Sequence, residues 1–243
     1  MSIAPEKVSV NAGIIMASLP DVAISLQSQD DAVSSLLLAQ LSARFNFPLA
    51  SQYAERENAY ESVLKDLSWT TLHHSYTEQQ GAQTLDVVNV LMNESARLFE
   101  FRIGVAFSNL VSNLQLSVPT DQARTVWREH VVRPVESVQE SKPDCSAIDE
   151  SVVCIKLALI DSDWLLHTVM LRFSTHAVLT EDFLNQSVLT APERSVEVQG
   201  YTYSLNDQVY RQLRETINEK LTQKRSELVM PGSISSPSSV SVD

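Results

Sequence analysis

The sequence predicts an α+β fold: a helix-rich N-terminal half, a mainly antiparallel β-sheet in the C-terminal half, and a C-terminal amphipathic helix covering that sheet. Three patterns predict it. Apolar residues recur at helical spacing through residues 33–67 and 85–131, alternate with a period of two through residues 152–173, and return to helical spacing from Leu205 to Leu221. The chain divides into an irregular arm (1–29), a single α+β domain (30–230) and a Ser-rich tail (231–243) whose composition predicts disorder. One domain is favoured over two because the strand pattern from Trp69 needs a sheet to join, and the first half offers none.

Within the arm, a short ordered piece is expected near residues 22–26. Asp30 or Asp31 then caps a first helix with the stripe Val33, Leu37, Leu41, which Pro48 ends. A second helix turns Tyr53, Tyr60, Val63, Leu64 and Leu67 inward and Glu55, Arg56, Glu57 and the Glu61/Lys65 pair outward. Residues 69–77 alternate as a strand closed by Gly81. Residues 85–114 are helical again, as one helix or two divided near residues 93–95. Pro119-Thr120-Asp121 starts a further helix with Ala123, Val126, Trp127, His130 and Val131 on its apolar face. Residues 135–140 read as a strand and 141–150 as a loop.

Residues 152–173 form the organising hairpin, hinged on Asp161-Ser162-Asp163. A three-residue loop there pairs Ile160 with Trp164, setting Leu159 opposite Leu165, Leu157 opposite His167 and Ile155 opposite Val169. That face needs cover. The other, with Cys154, Lys156, Thr168, Met170 and Arg172, is partly wet or covered by another element. Residues 187–190 suit a short strand. Residues 194–203 form the last strand, where Gly200 breaks the alternation and Tyr201 and Tyr203 resume it shifted by one, as a bulge would. Residues 204–207 open the final helix, whose stripe is Leu205, Val209, Leu213, Ile217 and Leu221.

Composition excludes several function classes. The net charge of −12 is concentrated in residues 134–200, with 11 acidic and 4 basic side chains, which argues against nucleic acid as a partner. The five glycines are too scattered for a phosphate-cradling loop. Cys145 and Cys154 are too few for a disulfide framework or a zinc site, and both are expected as free thiols. No cofactor and no metal is implied. Adjacent His73 and His74 would point to opposite faces of a strand, and the carboxylates of 144–163 lack a glycine-containing calcium loop. No signal peptide or membrane-spanning run is legible, so a cytoplasmic location is expected, with export by a signal-independent route as the alternative.

No motif declares a reaction. The residues to inspect first for catalysis are Cys154, His130, His167 and His176. In the expected register Cys154 and His167 lie on opposite faces, and His167 suits a hydrogen-bonded core position better than a base. Residues 99–116 carry the membrane-like stretch, with Phe99, Ile103, Phe107, Leu110 and Leu114 on one side and Ser and Asn on the other. Burial in the core is the simpler account of that stripe. Three function classes result: a non-enzymatic protein acting through a protein partner or homo-oligomer, a lipid-engaging effector or toxin-like protein using residues 99–116, and an enzyme whose site is assembled from distant Cys and His residues.

Overall fold

The computed structural model describes residues 5–19, 26–116, 121–135, 150–180 and 182–231. In chain order the strands are β1 (Glu6–Asn11), β2 (Ile14–Ser18), β3 (Trp69–Gln80), β4 (Thr84–Asp86), β5 (Val132–Pro134), β6 (Ser151–Ile160), β7 (Leu165–Thr175), β8 (Ser187–Leu189), β9 (Ser195–Leu205) and β10 (Val229–Pro231). The helices are α1 (Leu26–Asn46), α2 (Tyr53–Asp66), α3 (Val87–Leu98), α4 (Phe101–Leu116), α5 (Asp121–Val131) and α6 (Asp207–Leu228). The fold is mixed α+β around one mainly antiparallel sheet of order β10-β1-β2-β6-β7-β9-β3, with β5 on β6, and β4 and β8 pair separately.

Several expectations need correction. The arm is not irregular: β1 and β2 form a hairpin, and β2 runs parallel to β6, pairing Ile15 with Leu157. Its residues Val8, Val10, Ile14, Ile15, Met16 and Ala17 are all buried, so a run too short to read as an isolated strand is held by packing. The sheet therefore draws on both halves of the chain. Helix α1 begins at Leu26, one turn before the expected aspartate cap. The 85–114 region is two helices, and a short strand not expected from the sequence, β5, lies at Val132–Pro134. The strand expected at 135–140 falls, beyond residue 135, outside the described residues. The 22–25 piece, the 141–149 loop, Cys145 and the tail beyond Pro231 lie outside the described residues.

The central hairpin keeps its three-residue loop but shifts it by one position. Asp161 N–H donates to the Leu165 carbonyl, so the loop is Ser162-Asp163-Trp164, with Trp164 left-handed at φ 63°. The Asp161 carboxylate fixes this turn by accepting from the Asp163 and Leu165 N–H groups at 2.8 and 3.0 Å. Leu159 consequently faces His167 and Ile155 faces Leu171. The register moves by two, which leaves every side chain on its expected face.

Two apolar layers result. On one face Ile155, Leu157, Leu159, Val169, Leu171 and Phe173 pack with Ile15 and Ala17 under α3, α4 and α5. On the other, Ala158, Ile160, Leu166 and Tyr203 pack with Ile14 and Met16 under α1, α2 and α6. Helix α6 packs along α1 through Tyr210, Ile217 and Leu221, and Arg214 holds the Asp31 carboxylate at 2.6 and 2.9 Å. Gly200 is not a bulge. Its backbone seats the α3–α4 corner, since a Cβ there would lie 3.2–3.3 Å from Leu98 and Phe99, while Tyr201 and Tyr203 simply face the opposite layer.

Candidate functional site

Helix α2 places Tyr53, Arg56, Glu57 and Tyr60 within two turns on one side, by the 3.6-residue period. That side faces the sheet and roofs a cleft of about 480 Å³, floored by Cys154, Lys156, Met170, Arg172, Gln199 and Tyr201. Arg44 comes from α1, His130 from α5, and His74 and Tyr76 from β3. The face expected to be mixed is thus a recess walled by charges and aromatic rings.

The charges in the cleft are mostly paired. Lys156 Nζ donates to both Glu57 oxygens at 2.7 Å and lies 3.7 Å from the Tyr60 ring centre. Burial pulls the Lys156 pKa down, but Glu57, Cys154 and Glu61 together outweigh it and the net shift is upward. Arg172 pairs with Glu197 and stacks 3.4 Å above the Tyr53 ring. The Tyr203 hydroxyl donates to Glu61 Oε1 at 2.7 Å, while burial, reinforced by Glu57, lifts the Glu61 carboxyl to about 7. Tyr201 is stacked between His74 and Tyr203, at centroid distances of 4.2 and 5.4 Å.

The four candidates for catalysis separate. Cys154 and His130 both line the cleft. Burial pushes the Cys154 thiol up, so it is protonated at neutral pH and is no ready nucleophile. His130 Nδ1 donates to the Val126 carbonyl at 2.8 Å, which leaves Nε2 as its acceptor; burial first, then the nearby Arg44 and Arg133, keep the ring neutral. His167 lies on the opposite face, 6 % exposed, with Nε2 on Asp161 at 2.9 Å and Nδ1 on Thr202 at 3.0 Å. His176 sits outside the cleft, 3.5 Å from Glu193. The cleft thus holds side-chain donors and acceptors fixed by their pairing and a thiol that is not activated.

Sequence reasoning placed Arg56, Glu57 and Glu61 on the solvated side of their helix, and the structure has all three lining the cleft, Glu57 and Glu61 bonded to sheet residues and Arg56 to the Phe47 and Leu49 carbonyls. The signal that could have found them is the helical spacing itself, since Glu57 follows Tyr53, and Tyr60 follows Arg56, by four residues.

The 99–116 residues lie in the other layer. Phe107 and Leu110 are fully buried, Ile103 is nearly so, and Phe99 and Leu114 are partly buried against the same core. Helix α4 meets α3 so closely that a Cβ on Gly104 would stand 2.9 Å from the Ala96 Cα. Among the described residues, no helix is long and apolar enough to cross a membrane.

The sheet's two edges differ. Among the described residues, β10 has three positions, the last a proline, whereas β3 runs for twelve and bonds only to β9. After a register shift between Thr71 and His73, β3 is regular to Gln80. It contains no Lys, Arg or Pro, and Leu72 and Tyr76 are 58 % and 49 % exposed.

No family model and no curated protein matches the chain. Among solved structures it is similar to a delta-endotoxin (11 % identity over 80 % of this chain and 81 % of that one, TM-score 0.43). It is also similar to the activated Cyt2Ba monomer from Bacillus thuringiensis subsp. israelensis (10 % identity, 79 % and 96 % coverage, TM-score 0.40). A third similar structure is the Evf virulence factor (12 % identity, 94 % and 85 % coverage, TM-score 0.35). Identities and scores this low leave the functional argument to the molecule's own surfaces and sites.

Proposed function

We propose that this protein acts without chemistry of its own, by associating edge-to-edge through β3 with a second copy or with a strand of another protein. The observation that carries the reading is the asymmetry of the sheet edges. Natural sheets blunt their edges with short strands, prolines, lysines or bulges, because a row of unpaired N–H and C=O groups templates another chain. Here β10 is blunted, and β3 beyond His73 is not. Its regular portion, His73–Gln80, is about 27 Å long at strand rise. Leu72 and Tyr76 offer apolar contacts alongside.

The test is sedimentation velocity across a concentration series, with amide exchange on β3. Self-association should appear with slowed exchange in residues 73–80, and Leu72→Lys with Gln79→Lys should abolish both without lowering Tm, since both side chains are exposed. If the protein is monomeric and neither strand-forming peptides nor candidate proteins protect those amides, the reading fails.

A second reading, lipid engagement by the α3–α4 pair, is favoured by one observation. The outward residues Ser108, Asn109, Ser112 and Asn113 are uncharged, so dehydrating that side costs less than burying Lys or Arg, and Phe101 at the helix start is 84 % exposed. At about 24 Å helix α4 would lie in an interface rather than span a bilayer. Because Leu110 is core, Leu110→Asn would unfold the protein before it reported on lipid. Phe101→Ser is the better variant, expected to keep Tm and to lower liposome co-sedimentation.

A further inference from the structure

We infer that the cleft under α2 binds a small organic anion, its acidic group held by Arg44 and Arg56 and an acceptor atom of its body reaching the Tyr60 hydroxyl. Three independent observations carry this, none of which depends on the β3 edge.

The first is unbalanced charge inside a strongly acidic protein. Lys156 cancels Glu57 and Arg172 cancels Glu197. Arg56 instead donates to the Phe47 carbonyl at 2.9 Å and to the Leu49 carbonyl, neither of which neutralises it. Arg44 makes no hydrogen bond or ion pair with any described residue, and it is near enough to repel the charged forms of both Arg56 and His130. Two guanidinium groups lining one cleft, neither ion-paired to a carboxylate and only Glu57, itself held by Lys156, offsetting Arg56, form a site that an oxyanion would relieve, and guanidinium is the side chain best shaped to grip one.

The second is an orphan donor. Tyr60 is 4 % exposed, lines the cleft, and its hydroxyl has no partner among the described residues. A buried hydroxyl without a partner carries an appreciable desolvation penalty, which an acceptor placed in the cleft removes. Arg56 and Tyr60 sit one turn apart on α2, so one ligand can meet both.

The third is size and lining. About 480 Å³ lies within the range of small-molecule sites, and Ala43, Ala50, Ala54, Val131 and Val152 give the wall beside the arginines an apolar surface for the ligand's body. Arg172 covers one face of Tyr53, Lys156 one face of Tyr60, and His74 and Tyr203 both stack on Tyr201, so the alanines and valines are the main apolar surface offered to the body.

The test uses calorimetric titration at low salt with benzoate, phenyl phosphate and benzylammonium, three probes of similar body and different charge. Both anions should bind and benzylammonium should not; the tighter anion identifies the acid group. Arg44→Gln and Arg56→Gln should each weaken anion binding by about tenfold or more. Tyr60→Phe separates a ligand role from a structural one. It should leave the unfolding midpoint of the free protein unchanged or raised, because no protein hydrogen bond is lost, and still weaken binding severalfold. Absence of anion binding up to about 10 mM, equal binding of benzylammonium, or unchanged affinity in Arg44→Gln would each overturn the inference.

Discussion

Glu61 is the residue whose environment is most at odds with its charge. Its carboxyl is raised to about 7 from 4.5, so ionisation costs more in the folded than in the unfolded protein. The raised pKa means that stability is fully present below about 4.5 and is lost as pH rises through 7. Relative to Glu61→Gln, the unmodified protein should lose on the order of 3 kcal/mol between these limits, measured as urea unfolding at a series of pH values. A flat difference would place Glu61 in water. Lys156 makes the opposite demand. The sequence puts it on a face partly wet or covered by another element and predicts that Glu is tolerated cheaply there, but it is clamped between Glu57 and Tyr60. Lys156→Glu should cost about 3–5 kcal/mol, as much as the core substitution Ile155→Asp, because it leaves buried carboxylates facing one another. Chemical denaturation of both variants checks this. Both readings stop at the same point: helical spacing for Glu61 and alternation for Lys156 assign a side chain to a face, and cannot say whether a charged face meets water or a partner distant in the chain, 99 residues away for Lys156 and Glu57.

Among the elements, the hairpin of β6 and β7 was legible because both its strands alternate cleanly, and α6 because its apolar residues recur at helical spacing, although Leu205 ends β9 and Val209 is exposed, so that Tyr210, Ile217 and Leu221 are what it buries. The division of 85–114 was not, since apolar spacing continues across the corner, and only the tertiary fit of Leu98 and Phe99 over Gly200 requires a break there. The β1–β2 hairpin was missed because fully buried short strands lose the alternation that betrays them. The α3–α4 pair also yields a prediction. Gly104→Ala would put a Cβ against the Ala96 backbone, which has no flexible end to move aside, so the helices must part. The expected cost is about 1–3 kcal/mol despite Ala being the better helix former, read from thermal unfolding. A neutral or stabilising effect would show that the pair is loosely seated.

At the scale of the whole molecule, the fold class was readable and the layering was not. Patterns assign elements to classes one at a time, whereas the cleft exists only because α1, α2 and α5 meet β3, β6, β7 and β9 around it. The same non-locality governs how the sheet is completed. Strand β1 takes its outer neighbour from Val229–Pro231, and β2 takes its second partner from β6. While the chain is being made on the ribosome, the hairpin of β1 and β2 therefore emerges with Val8, Val10, Ile14 and Ile15 uncovered and must wait until β6 and β10 have been made. Assembly is then slow, as closure of such distant pairs requires, and the uncovered hairpin is the natural place for a chaperone to hold.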